Sequence, residues 1–202
     1  MTLAQIKPHR KSIRLKNYDY SQNGYYFVTI CTKNREEYFG QINDDEMILS
    51  QYGKIAKQSW LEIPEHFEDI RVDEHVIMPN HIHGIVIIES DDEPVGNRHA
   101  CSLPEERQYQ KLPVVIGSYK SSVTRELNQM HDKFHFKWQK SYYDRIIRND
   151  KSLDRIRHYI HYNALKWEYD QENKNAISFE EKKEFWTEFL NNQRRMQCLN
   201  SN

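Results

Sequence analysis

Residues 70–89, IRVDEHVIMPNHIHGIVIIE, decide the fold. Ile70 to Ile77 reads as a strand, Met78-Pro79-Asn80 as a turn, and His81 to Glu89 as a second strand antiparallel to the first. In the second strand Ile85 and Ile87 lie on one face while Ile82, Val86 and Ile88 lie on the other. A strand that is apolar on both faces belongs in the middle of a sheet.

Working outward, Tyr25 to Thr32 (YYFVTICT) is β-branched and aromatic and follows the turn-prone Gln22-Asn23-Gly24, so it is a third strand. Tyr38–Ile42 and Met47–Leu49 suit a short hairpin around Asn43-Asp44-Asp45. From Ser50 as N-cap, Tyr52, Ile55, Ala56, Trp60 and Ile63 recur at helical spacing until Pro64. Ser90 to Gln110 is polar and aperiodic and reads as a loop. Leu112, Val115, Ile116, Tyr119, Val123, Leu127 and Met130 mark a second helix. Lys137–Ile147 is a strand with a polar interruption, and a third helix runs from about Asn149 to Trp167. The order β, α, β, β, α, β, α predicts an α+β fold. It is a ferredoxin-like antiparallel sheet with helices packed on one face, plus an added C-terminal helix carrying a tyrosine.

The 202 residues suffice for one such domain. Thirteen Tyr, eight Phe and four Trp supply core area that the 38% hydrophobic content understates. A net charge of −1 excludes a uniformly basic nucleic-acid binder, so any phosphate-binding surface must come from clustering. Lys7, Arg10, Lys11, Arg14 and Lys16 all precede the first acid, Asp19, whereas Glu180, Glu181, Glu184 and Glu188 crowd the other end. These limits define a basic N-terminal arm (1–20), a central domain (21–167) and an acidic, solvated C-terminal helical extension (168–202). Cys31, Cys101 and Cys198 are odd in number and form no CxxC pair, which argues against a disulfide framework and a structural zinc site. With no apolar run near the roughly 20 residues of a membrane span, and no apolar leader in MTLAQIKPHRKS, a cytoplasmic protein with no membrane partner is expected.

His81-Ile82-His83 places two imidazoles on one face of the central strand, since side chains alternate with a period of two. Such a pair either ligates a metal, leaving coordination positions for substrate or water, or satisfies local hydrogen bonds. On the third helix, Leu153, Ile156, Ile160, Ala164 and Trp167 form the core stripe. Tyr159 and Asn163, about 40° apart around the axis, border it, while Tyr162 lies nearly opposite. A phenol beside a metal can act as a nucleophile on phosphate, and Asn163 can offer an amide oxygen as a third ligand. By periodicity alone, Tyr159 equally suits packing at the stripe edge.

Four segments then match a known family in order and approximate spacing. They are RKSIRLKNYDYSQNGYYFVTICT, HVIMPNHIHGIVII, VVIGSYKSSVTRELN and FKWQKSYYDRIIRNDKSLDRIRHYIHYNALKW, spanning about Arg10 to Trp167. Over these the chain resembles the REP-associated tyrosine transposases, a branch of the single-tyrosine HUH transposases of bacterial insertion sequences. The resemblance implies that 21–167 is an HUH catalytic domain in which His81 and His83 bind Mg or Mn. It further implies that Tyr159 is the nucleophile and that Asn163 occupies a polar ligand position. The family's usual Asn-Pro after the tyrosine helix is Asn163-Ala164 here, which bears on the helix end.

The implied reaction is metal-dependent cleavage and rejoining of single-stranded DNA at hairpins through a 5′-phosphotyrosine, by a monomer or homodimer. Arg145, Arg148 and the arm residues Arg10, Lys11 and Arg14 become candidates for phosphate contacts, joined by Lys120 and Arg125. Trp138, Tyr142 and Tyr143 are candidates for base stacking, with core packing as the alternative. Two other classes remain: a metal-dependent hydrolase that forms no protein adduct, and a domesticated hairpin-DNA-binding protein without cleavage activity. A zinc deaminase is disfavoured because neither an HxE motif nor a CxxC follows.

Overall fold

The computed structural model describes residues 18–89, 110–130 and 136–176. The arm residues Arg10, Lys11 and Arg14, nearly all of the 90–110 loop, and the acidic tail beyond 176 therefore lie outside the described residues. Four strands, β1 (Gly24–Cys31), β4 (Ile70–Ile77), β5 (His81–Ile88) and β6 (Tyr143–Ile147), form one sheet in the order β4-β5-β1-β6, every neighbouring pair antiparallel. This is the ferredoxin-like order. A separate hairpin joins β2 (Gly40–Asn43) and β3 (Glu46–Leu49) through Asp44 and Asp45. Both aspartates have positive φ (48° and 62°), as a two-residue hairpin turn that follows the strand twist requires.

Every residue of β5 is buried, because layers cover both faces of the sheet. On one face lie α1 (Gln51–Leu61), the short α2 (Ile63–His66) and α3 (Lys111–Gln129). Trp60, Leu112, Ile116, Tyr119 and Val123 pack there with Tyr26, Val28, Ile30, Ile82 and Val86. Ser50 caps α1 by accepting from the Gly53 amide at 3.1 Å. Gly84 lets that layer close on the central strand, since a Cβ there would stand 2.3 Å from Trp60 Cζ2.

The opposite face is covered by α4 (Asp150–His161), capped by the Asn149 side chain, which accepts from the Ser152 amide at 2.9 Å. Leu153, Ile156 and Ile160 pack there on Ile85, Ile87 and Ile147. The added helix thus closes the face that the other helices leave open. Its placement is fixed from the side by Arg157, whose Nη2 donates to Asp73 at 2.6 Å. Asp73 sits where the β4–β5 register shifts between Val72 and His75, an irregularity that re-aims side chains.

Two expectations are corrected. The Asn149–Trp167 helix stops at His161: the Asn163 amide donates to Ile160 O and the Lys166 amide to Asn163 O. The chain tightens into a 3-10 turn over Ala164–Tyr169. The strand over Lys137–Ile147 pairs only from Tyr143, because Trp138 makes one isolated bridge to Thr32 before the polar interruption. No helix among the described residues is long and apolar enough to cross a membrane.

Candidate active site

The alternation that buries Ile85 and Ile87 against α4 also turns His81 and His83 to that face, at the start of β5. Both imidazoles are buried (0% and 4% exposed), so each nitrogen needs a partner. His81 Nδ1 lies 2.9 Å from Asn80 Oδ1. The Asn80 amide nitrogen donates to two carbonyls, Arg35 O at 3.2 Å and Glu172 O at 2.8 Å. That pairing orients the amide, so its oxygen faces His81 and must accept. His81 therefore carries its proton on Nδ1 and presents a bare Nε2. His83 Nδ1 lies 2.8 Å from the hydroxyl of Thr29, directly opposite it on β1. Phe27 stacks on the His83 ring with centroids 5.3 Å apart.

Burial disfavours the imidazolium of both residues. His81 is drawn down to about 3, with the Arg35 cation adding to the effect. His83 lies well below 6.5, lowered by burial and then by His81, with Asp170 acting in the opposite sense. Two neutral rings thus face each other through Nε2 atoms 3.0 Å apart. Ligand atoms of His81, His83 and Asp170 all lie within 4.8 Å of one another. Two imidazoles and a carboxylate converging in a buried space are positioned to bind a metal.

Tyr159 reaches this cluster from α4, its hydroxyl 3.1 Å from His83 Nε2 and its ring edge-on to Phe27. Burial, then the Asp170 and Glu172 carboxylates, raise its pKa well above 10, and Asn163 eases the shift. Asn163 is fully buried, yet neither polar atom of its amide makes a hydrogen bond of ordinary length. A buried amide without such bonds suits a ligand position. The Lys166 ammonium lies 5.3 Å from the Tyr159 ring centroid, and burial draws its pKa from 10.5 to about 8. Trp167 tilts over His81 at 6.1 Å.

A cleft of about 450 Å³ opens beside these groups, lined by Arg35, His83, Tyr143, Tyr159, Lys166 and Asp170 among others. Tyr143 and Arg145, opposite Thr29 and Phe27 on β6, share its face of the sheet. Arg145 and Tyr159 line a second hollow with Ser152 and Arg155, and Arg145 continues into a third with Arg148 and Asn149. Other DNA-binding candidates lie elsewhere. Tyr142 (6% exposed) is in the main core, and Trp138 packs among Phe39, Tyr119 and Phe136 with its indole N–H on Lys120 O. Tyr142 is therefore closed to a base, whereas Trp138 is half-buried, with part of its ring at the surface. The Lys120 ammonium donates to Gln139 O at 2.7 Å, and Arg125 is exposed on α3, behind the sheet.

Sequence reasoning missed Asp170, assigned to the solvated tail, and Lys166, Thr29, Asn80 and Arg35. The only signal for Asp170 was its place beside Trp167 and Tyr169, aromatics unusual in a solvated segment.

No family model matches the chain. An uncharacterized protein of Haemophilus influenzae is 41% identical over 167 residues, covering 81% of this chain and 92% of that protein. A second Haemophilus influenzae protein, described as a REP-associated tyrosine transposase, is 26% identical over 161 residues, covering 77% of this chain and 79% of the other. Among solved structures, a REP-associated tyrosine transposase bound to a REP hairpin shares the fold. Its TM-score is 0.53 at 17% identity, over 76% of this chain and 73% of that one.

Proposed function

We propose that the chain is a REP-associated tyrosine transposase, as its similarity to one such protein over 77% of its length supports, and from that premise that it cuts and rejoins single-stranded DNA at hairpin-bearing sites, with Tyr159 as nucleophile. One observation carries the reading: the Tyr159 hydroxyl stands 3.1 Å from His83 Nε2, within the cluster that His81 and Asp170 complete. His81, His83 and Asp170 would hold a Mg or Mn ion, with the Asn163 amide oxygen as a further ligand. When bound, the ion polarises a phosphate oxygen and favours the phenolate that burial otherwise opposes.

The remaining work falls to the chain. Asn80 holds the proton on His81 Nδ1 and Thr29 partners His83 Nδ1, and together they orient both rings with Nε2 inward. Phe27 braces His83 and Tyr159 together, limiting how far the hydroxyl can swing. The phenolic oxygen bonds to phosphorus as the P–O3′ bond breaks with its electron pair on the 3′ oxygen. The proton lost by Tyr159 is balanced by one gained at the 3′ oxygen through solvent, giving a 5′-phosphotyrosine and a 3′-hydroxyl. A phosphodiester replaces a phosphodiester, so a second 3′-hydroxyl reseals the strand by the reverse step without ATP. The strand's phosphates run past Tyr159 along Arg145, Arg155 and Arg148, with exposed Tyr143 as a stacking platform. The hairpin bound to the solved relative supports a hairpin as the partner.

The test is to incubate the protein with Mn and single-stranded oligonucleotides carrying a hairpin and a randomised flank, then seek a covalent adduct by mass spectrometry. The expected adduct maps to Tyr159 and disappears with chelator. Cleavage without any adduct would favour the hydrolase instead. An adduct on Tyr142, Tyr143 or Tyr162 would move the nucleophile.

A further inference from the structure

We propose that Lys166 is a further catalytic residue: its ammonium contacts the scissile phosphate beside Tyr159 and stabilises the charge that builds on the phenolic oxygen and the phosphate. This rests on the reading of Tyr159 as nucleophile. The 3-10 turn delivers three different groups to one place. Asn163 supplies an amide at its start, Lys166 an ammonium one turn on, and Asp170 a carboxylate at its end. The placement of Lys166 is set by its own amide, which donates to Asn163 O at 3.0 Å.

Lys166 is only 4% exposed, and burying an ammonium is costly unless its charge is compensated. The face of the Tyr159 ring, 5.3 Å away, offers part of that compensation as a cation–π contact. The attraction grows as the phenol becomes a phenolate or an aryl phosphate, so the interaction is stronger in the transition state than before it.

The charge around the cleft points the same way. Asp170 and Glu172 both oppose a phenolate at Tyr159, and an entering phosphodiester adds another negative charge. Arg35 also lines the cleft, where Glu172 holds its guanidinium at 2.9 Å. Lys166 is the cation that lies over the nucleophile itself. In the proposed step it keeps its proton throughout. The bond formed is O–P at Tyr159, the bond broken is P–O3′, and Lys166 contributes charge alone.

The experiment uses the full chain, Mn and an oligonucleotide selected from the hairpin library by adduct formation, with the single-turnover rate of adduct formation at saturating DNA as readout. Lys166→Met is expected to slow the adduct step by roughly 100-fold, as loss of one preorganised charge-stabilising group does. Its dissociation constant for the same DNA should change little. Lys166→Arg is expected to restore most of the rate, which a structural role for the methylene stem would not require. Circular dichroism melts check that each variant is folded. Should Lys166→Met misfold, Lys166→Gln against Lys166→Arg gives the same contrast. If Lys166→Met or Lys166→Gln reacts at the wild-type rate, or Lys166→Arg is as slow as the neutral variants, the role of Lys166 is overturned while that of Tyr159 stands. If wild-type protein forms no adduct with any library member, the nucleophile assignment fails and this inference with it.

Discussion

Tyr159 and Tyr162 stand three residues apart on one helix end, yet only Tyr159 reaches His83, because a helical step of about 100° per residue sends them to different sides. Tyr159→Phe removes a single oxygen and keeps the ring that packs on Phe27. It should abolish the adduct while changing DNA affinity by less than about threefold, measured by fluorescence anisotropy. Tyr162→Phe carries the same chemical change away from the cluster and should form adduct normally. Cleavage by Tyr159→Phe would refute the assignment. Thr29→Val tests the outer hydrogen bond in the same way, since valine keeps the shape but leaves His83 Nδ1 without its hydroxyl partner. Mn affinity measured by calorimetry should fall by about 10- to 100-fold with little change in melting temperature. Unaltered affinity would mean that Thr29 does not orient the ligand.

At the scale of the element, α4 is held to the sheet by three buried aliphatic side chains and one ion pair at its flank. Ile156 lies between Leu153 and Ile160 in that row, so Ile156→Ala should cost about 2–5 kcal/mol in urea unfolding. Leu61→Ala, at a position 44% exposed on α1, should cost no more than about 0.5 kcal/mol. Equal losses at the two sites would show that α4 does not depend on this face. The 3-10 turn after α4 has a different task. By tightening the chain it brings Lys166 and Asp170 back over the strand ends, where a continued α-helix would have carried them past.

The whole molecule has a net charge of −1, so the proposed DNA affinity must come from local concentrations of cations. Arg145, Arg148 and Arg155 are exposed around two hollows that share Arg145 and Ser152 and lead to Tyr159. Changing all three to Gln should reduce the slope of log affinity against log salt by up to about 2, at roughly 0.7 per lost phosphate contact on single strands. The remaining slope would report on other cations. An unchanged slope in a salt titration would place the strand elsewhere.

The β4–β5 pair, both apolar faces of β5, the Ser50 cap and the shared face of His81 and His83 were all legible in the sequence. Each depends on a period of two or 3.6 and on a turn residue beside it, which are local properties of the chain. Tyr159 and Asn163 stood out by the same geometry, sharpened by the family resemblance. Asp170, Lys166, Thr29 and Asn80 did not, because no period links a strand 54 residues before His83 in sequence to its ring, or a tail carboxylate to two imidazoles. The end of α4 at His161 was hidden too, since Asn163-Ala164 contains no proline to announce the break. Tyr142 looked as available for stacking as its neighbour Tyr143. Only the packed sheet separates them, because burial is decided by which layer covers a side chain and not by the side chain itself. The sequence determined the elements and the face that carries the histidines, through local periodicity. The tertiary structure alone decided which acid, which lysine and which aromatic rings meet there, because those contacts join segments with no local relation.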